Sequence, residues 1–156
     1  MPITQTEQQD ERPWHAAFPS PKASPSNNMV NSISAQELRA KMDKQREATR
    51  NGWIVVDVRR TDFEDAFIKG AINLPAHSFY PTLPSLLPIL SRYPLVIFHC
   101  QSSSGRGPRC AGWYQDALDA AGLSKDISRA VVLTGGIKDW VAAYGEDGEV
   151  TVKLEY

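Results

Sequence analysis

The sequence predicts an α/β protein: a parallel central sheet of about five strands, helices on both faces, and an extended, irregular N-terminal arm. Three observations predict it. Apolar, β-branched runs recur at residues 53–58 (WIVVDV), 95–98 (LVIF) and 130–133 (AVVL), the pattern of strands buried on both faces. Stretches of helical periodicity separate them, so consecutive strands are joined by crossovers and run parallel. The run at 95–98 then passes through a short polar loop into a Pro-led helix, the strand–loop–helix order found where open α/β sheets present ligands.

The 156 residues suffice for one core and are too few for two comfortable domains. We divide them into an arm, 1–28, and one domain, 29–156. Hydrophobic content of 42% and charged content of 22% are those of an ordinary globule. A net charge of −1 gives no bulk field that would attract nucleic acid or a membrane surface. Two cysteines, Cys100 and Cys110, make no disulfide framework, and no His/Cys spacing matches a metal site. The expectation is a reduced, intracellular chain of the cytoplasm, with the nucleus also open. The polar start MPITQTEQQDER has no apolar core for secretion, and no apolar run reaches membrane-spanning length.

Pro2, Pro13, Pro19, Pro21 and Pro25 forbid regular structure in the arm. It is a disordered tail unless Trp14 and Phe18 pin it to the domain; we expect pinning, with both rings largely buried. Ser34 and Glu37 form a capping box, with Ile33 and Leu38 at the staple positions, opening a helix into the low forties. Asp43 to Gly52 reads as helix end plus loop. Asp57 is a carboxylate inside a buried strand and needs partners; Arg59 or loop amides are available, and fixing a neighbouring loop is its expected role. Thr61 to Glu64 reads as a second capping box opening a short helix over 62–67. Residues 69–75 give a turn and a short strand. Leu83, Leu86, Leu87 and Leu90 have helical spacing, interrupted by Pro81, Pro84 and Pro88. Cys110, Trp113, Tyr114, Ala117, Leu118 and Ala121 fall on one helix face. Cys110 is then either a resolving thiol or, as we expect, a small buried hydrophobe. Gly122 stops that helix. A last helix covers about 138–144, and 150–154 makes a final strand or tail.

The chemistry concentrates in residues 99–110, HCQSSSGRGPRC. Cys100 sits at the C-terminal end of a buried strand. Gln101, Ser102, Ser103, Ser104 and Gly105 follow, then Arg106 and the helix. Small residues let loop amides turn inward as an anion nest, and the helix N-terminus adds partial positive charge. Arg106 closes the loop with a planar fork that matches two oxygens of a phosphate-like group. Such surroundings favour a thiolate, the nucleophilic form of cysteine. Cys100 and Arg106 are therefore the expected catalytic pair, and residues 101–105 the oxyanion-binding loop.

The segments WIVVDVR, FIKGAINLP and VVLTGGIKDW, together with this loop, resemble the rhodanese-like domain over roughly residues 30–145. The loop itself is similar to that of the M-phase inducer dual-specificity phosphatases and the yeast-type arsenate reductases. Sulfurtransferases of this fold have a loop one residue shorter, so the resemblance implies a cradle sized for tetrahedral phosphate or arsenate. It implies Cys100 as nucleophile, Arg106 as clamp, and the amides of Gln101 to Arg106 as donors. There are departures. Gln101 and Gly105 stand where the inducer phosphatases carry acidic loop residues, leaving Asp57, Asp62 and Asp65 as candidates for the general acid. Val58 replaces their back-door cysteine. Phe67 replaces a histidine common in rhodanese-like domains.

The expected function is a protein phosphatase of the Cys-x5-Arg type, phosphotyrosine or dual-specificity, working through a phospho-cysteine. No resident cofactor or metal is expected. The partner is a phosphorylated protein or a small oxyanion, with no nucleic acid and no membrane. The alternatives are an arsenate reductase drawing on glutathione and glutaredoxin, and a non-catalytic phospho-binding module. Arg109, Arg59 and Arg60 are expected near the loop, favouring anionic substrates.

Overall fold

Alternate side chains of the central strands go to opposite faces of one sheet, and this accounts for the unbroken apolar runs. Val56, Val58, Val96 and Phe98 join one core; Val55, Leu95 and Ile97 join the other. The structure, a computed structural model, describes residues 13–45 and 52–155. The expectations for the first twelve residues, for the loop at 46–51 and for Tyr156 lie outside the described residues.

The sheet is parallel, in the order β1 (Asn31–Ile33), β6 (Arg129–Leu133), β5 (Leu95–His99), β2 (Trp53–Asp57), β4 (Ile72–Asn73). Register is continuous from Trp53↔Leu95 to Asp57↔His99 and from Leu95↔Arg129 to Phe98↔Val132. Helices α2 (Ala76–Leu90) and α3 (Arg106–Ala120) cover the face built on Phe79, Phe98 and Tyr114. Helices α1 (Ala35–Gln45) and α4 (Gly136–Tyr144) cover the other, around Leu38, Ile97 and Trp140. Beneath α4 lies an antiparallel pair, β3 (Ala66–Ile68) with β7 (Thr151–Lys153), so the alternation at 150–154 does make a strand.

The capping box of α1 forms in both directions: Glu37 N–H donates to Ser34 Oγ at 3.0 Å, and Ser34 N–H to Glu37 Oε1 at 3.2 Å. Such a cap contributes about 1 kcal/mol. The second expected box does not form, and no helix covers 62–67. Residues 61–65 turn and lead into β3. Arg59 holds the segment in this turn: its guanidinium collects the carbonyls of Asp62 (3.3 Å), which a helix would use in its own ladder, and of Glu64 (3.4 Å) and Ala66 (2.8 Å), while 66–68 pairs with β7.

The expected interruption of α2 is also corrected. The helix runs unbroken through Pro81, Pro84 and Pro88. All three are exposed and share the side opposite Phe79, Leu83 and Leu90, so the carbonyls they leave unbonded face water. On α3, Cys110, Trp113, Tyr114 and Leu118 face the core as expected, while Ala121 caps the helix and is exposed.

From Pro13 the arm is pinned. Trp14 and Phe18 are half-buried rather than largely buried. Trp14 packs edge-on against Trp113 at 5.9 Å, and Phe18 lies 5.4 Å from Tyr80; half burial contributes about 1 kcal/mol per ring. Polar contacts hold the next residues of the arm. Trp113 Nε1–H donates to the Pro19 carbonyl (2.8 Å), and the amides of Lys22 and Ala23 donate to Asp116 (2.6 and 3.0 Å). Two 3-10 turns, Trp14–Ala17 and Pro25–Asn27, give the arm local order.

Candidate active site

Cys100 stands where β5 ends, 3% exposed, and α3 begins six residues later. The helix starts against the sulfur: Gly107 N–H donates to Cys100 Sγ at 3.3 Å. A Cβ on Gly107 would sit 3.2 Å from His99 Cα and 3.4 Å from Cys100 N, so the missing side chain lets the helix come this close. Among the described residues, no protein group accepts from the amides of residues 101–106. The loop therefore offers free backbone donors beside a thiol that a helix N-terminus faces.

Side chains shape the loop from within. Ser103 adopts a left-handed backbone, φ 57°, and its Oγ accepts from Cys100 N–H at 3.4 Å. Ser102 and Ser104 share a 2.9 Å hydroxyl contact at the surface. Gln101 is exposed, and Gly105 is the N-cap of α3.

Below the loop lies a buried cluster that sequence reasoning saw in part. Asp57 does what was expected: Arg59 donates to it from its backbone amide (3.0 Å), from Nε (3.0 Å) and from Nη2 (2.8 Å). Both residues are buried, at 0% and 2% exposure. Arg59 is thus no surface attractor for anions, correcting the expectation. His99 closes the cluster. Its Nδ1 lies 3.1 Å from the Cys100 carbonyl, and its Nε2 lies 3.6 Å from Asp57 Oδ2 with no hydrogen-bond partner. Burial pushes the His99 pKa down, against the opposing pull of Asp57, so the ring is neutral. The Asp57↔His99 register across β2 and β5 brings these groups together.

The far wall was not anticipated. Ile137 N–H donates to the Cys100 carbonyl and Lys138 N–H to the Gln101 carbonyl, both at 3.0 Å. The start of α4 thereby grips the loop. The Gly135-Gly136 pair before the last expected helix was the available signal.

Arg106 lies beside the loop, and its two outer nitrogens bind Asp62 at 2.8 and 2.6 Å. This bond holds the Asp62 carboxyl down at about 2, and Asp62 and the neighbouring Cys100 push the Arg106 pKa up. Of the three carboxylates considered for proton transfer, Asp57 is sealed beneath Arg59, Asp65 lies in a left-handed turn residue, and Asp62 contacts Arg106. His77, at the start of α2, is packed on Trp14 at 4.8 Å. Burial and the charges of Arg60 and Arg106 lower its pKa, so the arm reaches the rim of the site.

Cys110 is fully buried, and burial drives its thiol pKa strongly upward. Both cysteines are free. The small-hydrophobe reading fits this environment better than a resolving thiol. No helix among the described residues is long and apolar enough to cross a membrane.

The rhodanese-like domain matches residues 34–143. The chain is 34% identical over 134 residues to the CDC25-like phosphatase YCH1 of Saccharomyces cerevisiae, covering 78% of this chain and 88% of that protein. It is 37% identical over 87 residues to arsenate reductase 2.2 of Oryza sativa subsp. japonica, covering 55% and 67%. Among solved structures, Ygr203w, a yeast protein tyrosine phosphatase of the rhodanese family, superposes with a TM-score of 0.66 at 29% identity, covering 80% of this chain and 93% of that one.

Proposed function

The chain belongs to the rhodanese-like family, and from that membership and the geometry of its loop we propose that it is a cysteine-dependent phosphatase. The observation that carries the reading is the Gly107 amide aimed at Cys100 Sγ, 3.3 Å away, at the head of a loop with free amides. Cys100 is the nucleophile, as the thiolate. Its sulfur attacks phosphorus; the S–P bond forms as the bond to the leaving oxygen breaks, and that oxygen takes a proton. Water then attacks the phospho-cysteine, the S–P bond breaks, and phosphate and thiolate are released. Arg106 and the amides of Gln101, Ser102, Ser103, Ser104 and Gly105 hold the equatorial oxygens through both steps. This chemistry calls on no metal or resident cofactor. The substrate is a phosphorylated protein or a small phosphate ester.

A second reading, arsenate reduction, is supported by the likeness to the rice reductase. Arsenate occupies the same cradle and forms an As–S bond with Cys100, losing hydroxide. With Cys110 buried, the two electrons that reduce As(V) to As(III) come from outside thiols, glutathione with glutaredoxin.

Turnover of an aryl phosphate and of arsenate, measured side by side with wild type and Cys100→Ser, tests both. The phosphatase reading expects hydrolysis that Cys100→Ser reduces to background. Equal rates in the two proteins overturn it. Arsenite production with the glutathione couple, without hydrolysis, moves the assignment to the reductase.

A further inference from the structure

The Arg106 fork is already occupied. Nη1 donates to Asp62 Oδ1 and Nη2 to Asp62 Oδ2, the two-point geometry that an arginine offers to two oxygens of a phosphate. Asp62 comes from the turn between β2 and β3, and that turn is held firmly. Arg59 binds the Asp62 and Glu64 carbonyls, and the Arg60 amide donates to Asp62 Oδ1 at 3.2 Å. The fold thus delivers this carboxylate to Arg106 from 44 residues away in the chain. The pair faces outward, with side-chain exposures of 23% and 34%, so a solute reaches it.

The geometry points to Asp62 as a resident anion in the Arg106 fork, displaced by a tetrahedral dianion on binding, its freed carboxylate then taking up a proton. The inference rests on the oxyanion-loop reading above and holds for phosphate and arsenate alike. The Nη1–Nη2 edge of Arg106 cannot serve Asp62 and a substrate at once. The bond to Arg106 is the largest influence keeping Asp62 ionised. Once a dianion takes that bond, the carboxylate loses its cation and gains an anionic neighbour, and both changes favour protonation. Arg106, through its hydrogen bonds and its charge, and Arg60, through its amide, face Asp62 in favour of ionisation; His77 on α2 is the other titratable group at this rim. The exchange also sets specificity. A carboxylate ligand merely replaces one carboxylate by another, whereas a dianion brings extra charge to the loop amides. The acquired proton is held at the rim, where a leaving oxygen needs one.

Sulfate binding to the full-length Cys100→Ser protein tests this. Sulfate is a tetrahedral dianion that does not titrate in the working range, and the variant removes the thiol's own proton. Calorimetry at about pH 5, in buffers of different ionisation enthalpy, gives affinity and protons exchanged together. Cys100→Ser should take up a fraction of a proton per sulfate. Adding Asp62→Asn should tighten binding roughly threefold to fivefold, the strength of an exposed ion pair, and reduce the uptake. Asp62→Ala should do the same, so one poorly folded variant does not decide the matter. Unchanged or weaker binding in both Asp62 variants, while Arg106→Ala abolishes it, overturns the exchange and leaves Asp62 as an orienter of Arg106. Proton uptake indifferent to Asp62 also overturns it, in favour of His77. Sulfate binding that ignores Arg106 removes the oxyanion-loop reading itself.

Discussion

A methyl group on Gly136 would lie 2.5 Å from the Cys100 carbonyl oxygen and 2.7 Å from that of Gln101. Gly136 also has φ 60°, a conformation that L side chains rarely adopt. The next two amides hold those same carbonyls, so α4 and the loop are one unit. Gly136→Ala should therefore destabilise the protein by at least about 2 kcal/mol. The melting temperature should fall by roughly 4–8 °C for a chain of this size. Sulfate affinity should fall with it, because the loop backbone must move. A melt superposing on wild type would show that the loop yields without cost.

The loop itself was legible because its parts are contiguous. Cysteine, small residues, arginine and helix start follow one another in residues 100–108, so the strand–loop–helix arrangement is written locally. The sheet was legible because strands covered on both faces carry no polar alternation to confuse them. The walls of the site were not. Asp62 and Arg106 meet only through the fold, and Asp62 lies in a pattern that local rules assign to a helix cap. A buried arginine, Arg59, overrides that rule: Asp57 points to it as a partner, but nothing nearby shows that it also gathers the carbonyls of 62, 64 and 66. The prolines of α2 misled for a related reason: their cost depends on which side of the helix faces water, and sequence alone does not give that.

The Arg59 guanidinium is enclosed by acceptors. Its nitrogens donate to the carbonyls of Asp62, Glu64 and Ala66 and, from both Nε and Nη2, to Asp57 Oδ2. Removing one partner of the Asp57–Arg59 pair strands a charge in the core, at about 3–5 kcal/mol. Arg59→Met should lower the unfolding free energy by that amount and free the 61–65 turn. Chemical denaturation of the variant is the measurement, and a loss under about 1 kcal/mol would mean that water replaces the guanidinium at this site.

The arm is fastened to the back of α3 by few groups. Asp116 takes two amides, and Gly112 leaves space that a Cβ would fill by colliding with the Ala23 carbonyl oxygen. Asp116→Ala should cost about 1–2 kcal/mol, most of it from the part-buried Ala23 amide, since the exposed Lys22 amide turns to water. Limited proteolysis should then cut between Pro13 and Asn28 faster than in wild type, and Trp113 emission should shift to the red as the Pro19 contact loosens. Protease sensitivity equal to wild type would show that Trp14, Phe18 and Trp113 hold the arm unaided.

His99 sets a pH dependence whose sign comes from its burial. The ring is completely enclosed, and burial lowers its pKa below the ordinary histidine value of about 6.5, with Arg59 acting the same way. Above that value neither the folded nor the unfolded chain protonates the ring, and its contribution to stability is fully present. As pH falls below it, the unfolded chain binds a proton that the folded protein refuses, so stability is lost progressively down to the folded pKa. The melting temperature should be level from about pH 8 to 7 and decline from about pH 6.5 toward 5. His77, also lowered, adds to the same slope. His99→Asn keeps a group able to donate to the Cys100 carbonyl but cannot titrate, so its profile should be flatter over this interval. A decline of equal steepness in His99→Asn and wild type, but not in His77→Asn, would transfer the effect to the rim of the site.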